Sequence, residues 1–380
     1  MPLNSSRPGN RLPWMVIWVL SLLHSLSAQE SGGSFMGGKA GHGRNIQSDK
    51  GIIRFQGRIT SESAAALKDA YHHTGTARTV ILDFSGMEHI DVFGLNELIR
   101  LHLQAEEDLK ELVVRDLSPY FQDVFKAARL GDIFPVTAIA DASAGSDHKR
   151  AGSPWAEPVS SLKVSAAGQG ALNLNVDGFG VQGPVQGFGQ LWEKTYQIRL
   201  TSITISPREV IEVLKDGFPG FQPPQNRFFV SQAGIAPGEV VLINAKTPAG
   251  LISTGVWVLY ADDDSFTFMT PQGHPESGWV SFSAFEDKGS TVAQVKGFAR
   301  ASDPLYELGF RIGGSREQEK IWTHVLTSLA LHFGMHAWVH MYKTCVGDDI
   351  QWDQAGNIRH NAQIRTMIYS IRNMILSTRR

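Results

Sequence analysis

Cysteine is almost absent: Cys345 is the one cysteine in 380 residues. An intramolecular disulfide needs two cysteines and a Cys-based zinc site needs several, so both are excluded. A single cysteine suits a reducing compartment without proving one. Excess charge of either sign is also lacking, with 35 Lys and Arg against 37 Asp and Glu and a formal net charge of -2. A chain that coats nucleic acid concentrates cations to neutralise phosphates, and this one does not. No Walker loop, nucleophile triad or carboxylate metal cluster stands out. The apolar run near the N-terminus, "WMVIWVLSLL" from Trp14 to Leu23, is about half the ~20 residues a membrane-crossing helix needs.

That run has another use. Arg7 and Arg11 precede it, and Ser25, Ser27 and Ala28 follow, which is the layout of a secretory signal. The competing expectation is a start placed too far upstream, with Met36 as the true beginning. Residues 1–50 are therefore expected to be a signal-like or mis-started segment, Gly- and Ser-rich and disordered from 29 to 49. The α/β block that follows favours a cytoplasmic protein, with export as the alternative if 14–28 is a true signal.

With 42% hydrophobic residues, a chain of this length can bury two or three separate cores. From Gly51 to Asp141 strand and helix signals alternate. "IIRF" is a short strand, and Ala64, Leu67, Ala70 and Tyr71 share a helical face. "TVILDF" is a continuous apolar run, as a fully buried strand is. Leu95, Leu98, Ile99 and Leu103 make a second helical stripe, and "ELVVRDL" the next strand. Ser118 and Pro119 start a third helix, expected to run to Leu130 and stop at Gly131. "PVTAIA" is the last strand. Such alternation implies an α/β unit with helices on a mostly parallel sheet.

Residues 142–186 are small, polar and rich in Gly, Ser and Pro, and are expected to be a linker. Within them Gly178-x-Gly180-x-x-Gly183 matches the dinucleotide fingerprint as a string. The mechanism needs a strand before it and a helix after it, and Pro184 with more glycine follows instead. From 187 to 380 the pattern is antiparallel hairpins. Val256, Val258 and Tyr260 alternate with Trp257 and Leu259, "ADDD" leads into "SFTFMT", and "GWVSFSAF" turns at "EDKG" into "STVAQVKGFA". "SPRE" caps a short helix, while Ser315 and Gln318 form a box opening a long one that ends at Gly334. A last helix is expected from about Ala355 to Leu376. A curved antiparallel sheet with a long helix across it implies an α+β helix-grip domain with a cavity between the two.

Several residues are candidates for function. His274 and Glu276, in the loop "TPQGHPESGW", are a weak acid–base pair for a cyclase or hydrolase reading of the second domain. The same loop supplies Trp279 for a cavity mouth. Asn357, Asn361 and Arg365 fall at i, i+4 and i+8 and would line one helical stripe able to reach a ligand carboxylate. His332, His336 and His340 have the same spacing, but Gly334 interrupts it, so a metal site is not expected. No cofactor is expected.

The stretches "GRI", "VILDFSGMEHIDVFGLNELI" and "LVVRDLSPYFQDVFKAARLGDIFPV" resemble the STAS domain of anti-sigma-factor antagonists over residues 51–141. The resemblance implies a protein partner docked at a helix head, here Asp91, Val92, Phe93, Gly94 and Leu95. In that family a serine directly after the Asp is phosphorylated, and this chain has Val92 there. "GFGQLWEKTYQIRL" and "FTFMTPQGHPESGW" are similar to the START-like helix-grip superfamily, which implies a small apolar or lipid-like ligand. Together they imply a non-enzymatic regulatory or interaction protein. A subunit of a lipid-handling assembly is a further alternative, so membrane contact stays open.

Overall fold

A computed structural model of the chain describes residues 46–49, 51–134, 152–165, 167–201 and 204–377. The signal-like segment and the expected strand "PVTAIA" lie outside these residues.

The first sheet has four strands. β1 (Ile46–Asp49) and β2 (Ile52–Ile59) form an antiparallel hairpin. α1 (Ala64–His73) returns the chain to β3 (Thr79–Ile90), which runs parallel to β2. α2 (Val92–Glu107) leads to β4 (Glu111–Arg115), parallel to β3, and α3 (Pro119–Ala127) follows. The order is β1-β2-β3-β4. Val80, Leu82, Phe84 and Ile90 of β3 are buried, and they pack against the helices of this domain in one core. The Ser118 hydroxyl accepts from the Phe121 N–H and Pro119 sits at N1, so α3 begins where its sequence says. It ends earlier than expected. The left-handed residue after it is Arg129, at φ 58°, not Gly131.

The second domain is a larger antiparallel sheet. Its elements are β5 (Val181–Gln182), β6 (Leu191–Leu200), α4 (Pro207–Gly217), β7 (Asn226–Phe229), β8 (Val240–Thr247) and β9 (Gly250–Ala261). Then come β10 (Ser265–Pro271), β11 (Glu276–Asp287), β12 (Ser290–Ala301), α5 (Pro304–Gly309), α6 (Ser315–His332), β13 (His340–Gly347) and α7 (Ala362–Ser377). The strand order is β13-β6-β12-β11-β10-β9-β8-β7, with β5 beside β10. Residue alternation gives the sheet two faces. One carries α4 and α6 over Tyr196, Ile198, Val258, Phe266, Phe268 and Phe282. The middle of that layer is filled rather than hollow: the Phe266 and Phe282 rings stack at 4.7 Å and Phe218 meets both edge-on.

The opposite face is also apolar, and it is covered. Leu191, Leu242, Trp257, Leu259, Met269, Trp279 and Phe298 belong to one core with the buried residues of the first domain. Residues 152–186, expected as linker, are part of this layer. Trp155, Leu162, Val176 and Val181 are buried in it, and β5 pairs with β10. Val181 and Gln182 are a strand between the glycines of the GxGxxG string, which excludes a phosphate-binding helix start there.

Two further helix boundaries differ from expectation. Ser315 does not cap α6, because the chain enters that helix through a wide turn at Phe310–Gly314. The last helix is split: Trp352–His360 is a 3-10 segment and α7 starts only at Ala362. Asn357 therefore does not share a helical stripe with Asn361 and Arg365.

Candidate functional site

The head of α2 is built by its first residues. Asp91 caps the helix, its Oδ1 accepting the Gly94 N–H at 2.7 Å. Gly94 has no room for a side chain: a Cβ there would press into the Ile59 carbonyl oxygen and lie 2.9 Å from Ile90 Cγ1. The apolar residues of this head are not exposed, contrary to the docking patch expected from sequence. Val92 is 2% exposed and Leu95 fully buried. Phe93 is half-buried, with the Lys296 ammonium of β12 5.4 Å from its ring centre. One turn on, the Trp279 indole of β11 donates to Asn96 Oδ1 at 2.8 Å, both groups being buried. Arg100 continues the contact, pairing with Glu193 of β6 at 2.9 Å and lying over the Phe298 ring. The surface meeting the helix head is the chain's own second sheet.

This burial perturbs Asp91. Loss of solvent, opposed by the Gly94 hydrogen bond and reinforced by the charge of Asp262, pushes its pKa up to about 6. A carboxyl whose folded pKa is raised favours the folded state most below its unfolded value near 4, and that contribution is lost as pH rises through 6. Asp91→Asn keeps the cap acceptor and removes the charge. It should raise stability at pH 7 by about 1–3 kcal/mol and change little at pH 4. Urea midpoints of both proteins at the two pH values check this; an equal difference at both refutes it.

A polar cluster lies on the other face of the sheet, at the N-terminal end of α6. Lys194 of β6 donates to Ser315 Oγ at 3.0 Å and Gln318 Oε1 at 2.6 Å. The Gln318 amide in turn donates to both carboxylate oxygens of Glu276, at 2.7 and 2.6 Å. These bonds explain why Ser315 and Gln318 are not a capping box: both are engaged with Lys194. Burial lowers the Lys194 pKa against the pull of Glu276, and burial raises that of Glu276 against Lys194 and Gln318. Tyr196, two residues along β6, is 1% exposed, and its hydroxyl has no hydrogen-bond partner among the described residues. Burial, with Glu319 and Glu276 adding to it, drives its pKa upward.

Residues 42–137 match a family model described as "Mlab, STAS domain". Those residues are a STAS domain. Solved structures similar to the chain include the di-domain ARO/CYC StfQ from the steffimycin biosynthetic pathway, at 13% identity and a TM-score of 0.31. That match spans 38% of this chain and half of StfQ. Ginseng major latex-like protein 151 from Panax ginseng is matched at 16% identity and a TM-score of 0.24, over 35% of this chain and 97% of that one. Protein Ms6760 from Mycobacterium smegmatis is matched at 15% identity and 0.27, over 36% and 87%. The helix-grip character of the second domain stands on its topology, a curved antiparallel sheet with α6 laid across one face.

The remaining candidates have specific places. Trp279 faces the STAS domain rather than a cavity mouth. Asn357 donates to the carbonyls of Gln186 and Ser302. Asn361 donates to Asp303 and caps α7 through the Ile364 N–H. Arg365 donates to Asn175 and lies over Phe179. These three hold the C-terminal segment to the body. His274 and Glu276 have separate partners: the imidazole Nδ1 accepts the Glu276 backbone N–H at 3.0 Å, while the carboxylate takes Gln318. Burial pushes the His274 pKa down to about 4, so the ring is neutral near pH 7. Of the spaced histidines, His332 ends α6 and His340 begins β13, and no group of metal-ligating side chains is found among the described residues. No described helix is long and apolar enough to cross a membrane.

Sequence reasoning missed Lys194, Tyr196, Asn96 and Arg100. The first two lie at alternate positions of β6 and so point the same way, but Glu193, Thr195, Gln197 and Arg199 beside them hide that pairing in the sequence.

Proposed function

We propose that the protein is a non-enzymatic regulatory protein whose STAS domain is held in cis. The helix head through which the resemblance implies partner docking is occupied by the chain's own second domain, so a protein partner gains it only when that contact opens. The buried bond from Trp279 to Asn96 carries this reading, because it spends a sequence-distant polar pair on joining the two domains. A second observation supports a ligand for the helix-grip domain. The unpartnered hydroxyl of Tyr196 beside Lys194, Glu276 and Gln318 suits a small apolar molecule with a hydrogen-bond acceptor at one end. The molecule would enter at the polar end of the layer and couple to the STAS domain through the shared sheet.

Dodecanoate, titrated against the full chain, provides the test. Binding by native mass spectrometry should weaken about tenfold in Tyr196→Phe, the worth of roughly one hydrogen bond to a charged group. Amide exchange over residues 92–99 should change on binding. Binding with unaltered exchange would sink the coupling, and no binding would sink the ligand assignment.

A further inference from the structure

α7 is tied to the body through residues 362–366. The Ala362 N–H donates to the Gly273 carbonyl, and the Thr366 hydroxyl accepts the Ser253 N–H. From Met367 to Ser377 every residue is exposed, and Ile368 and Met374 are 59% and 62% exposed. A helix that leaves this much apolar surface uncovered has not found its full set of neighbours.

The pattern of that surface is specific. At 100° per residue, Ile364, Met367, Ile368, Ile371, Met374 and Ile375 fall in one arc of about 120°. Arg372 flanks one edge of the arc, Arg365 on the same side being held by Asn175 and Phe179, and no Asp or Glu occurs in the helix. The sequence continues with Arg379 and Arg380. A second copy of α7 would bring Arg against Arg and supply no acidic partner. An anionic lipid surface meets both demands, taking the apolar arc at the acyl boundary and the guanidinium groups at the headgroups. With sixteen residues the helix spans about 24 Å, too short to cross the hydrocarbon and suited to lying along it.

We propose that α7 is an amphipathic membrane-surface helix that docks the protein on bilayers carrying anionic lipids. The test is co-sedimentation of the full chain with phosphatidylcholine vesicles, with and without phosphatidylglycerol. Binding is expected with phosphatidylglycerol, and it should weaken at high salt. Ile371→Glu should cut it about tenfold or more by placing a charge in the arc, and Arg372→Glu by several-fold. Both positions are exposed, so thermal midpoints should not move. Because residues 14–23 are also apolar, the comparison with Ile371→Glu decides the matter. Equal binding of parent and Ile371→Glu would overturn the proposal, as would absence of binding to both vesicles. A parent that is dimeric by light scattering, monomeric as Ile371→Glu and indifferent to vesicles would overturn it too, and assign the arc to a second copy.

Discussion

Replacing Trp279 with alanine is expected to destabilise the chain by about 3–5 kcal/mol and to loosen the STAS domain from the second sheet. Three losses combine. The indole is 2% exposed, so its removal leaves a large cavity in a core that both domains share. Its near-parallel packing against Phe298, at 6.3 Å between centroids, also goes. The third loss is polar, because Asn96, itself 2% exposed, would keep a buried carbonyl oxygen with no donor. Trp279→Phe separates these terms by retaining a ring while stranding Asn96, at a cost of about 1–3 kcal/mol. Adding Asn96→Leu to Trp279→Phe should recover part of that cost, since two apolar partners leave nothing unpaired. Urea unfolding gives the energies, and amide exchange over 92–99 reports whether α2 is released. A parent-like midpoint for Trp279→Ala would mean the contact does not hold the domains together.

The same residue shows what the sequence did and did not disclose. The α/β unit was readable because its strands carry short apolar runs, its helices carry stripes, and Asp91 and Ser118 are caps by residue type. The antiparallel domain was readable from its hairpins. The cover over its outer face was signalled as well. In "STGVWVLY" both alternating sets are apolar, so Val256 and Val258 point to α6 while Trp257 and Leu259 point the other way. A strand apolar on both faces needs a layer on each side. That layer came from residues 152–186 and the STAS domain, whose polar composition reads locally as linker and surface. Which two surfaces meet depends on contacts such as Asn96 with Trp279, 183 residues apart, and no local spacing encodes that. The same limit applies to Asn361 and Arg365. Asn361 is the cap before α7 and Arg365 lies inside it, and their partners, Asp303 and Asn175, are supplied by distant segments.

Val92 offers the sharpest test of how the STAS domain is controlled here. Val92→Asp is expected to cost about 3–5 kcal/mol, in the range for burying an uncompensated charge. A carboxylate at the first position of a helix gains about 0.3–1 kcal/mol from the macrodipole, which favours the substitution. The opposing effects are larger. The site is 2% exposed, so a carboxylate there loses nearly all its hydration. The adjacent Asp91 already has a raised pKa, with Asp262 adding repulsion, and a third acid would face the same field. Val92→Ser should cost less, about 1–2 kcal/mol of lost apolar burial, because it buries no charge. The order parent, serine, aspartate in urea midpoint is therefore expected. Exchange along α2 should rise in the aspartate variant while the interior strands β10 and β11 stay protected, since the second domain keeps its own core against α6. If Val92→Asp matches the parent in midpoint and in exchange, the helix head is not buried in solution and the cis-held reading fails with it.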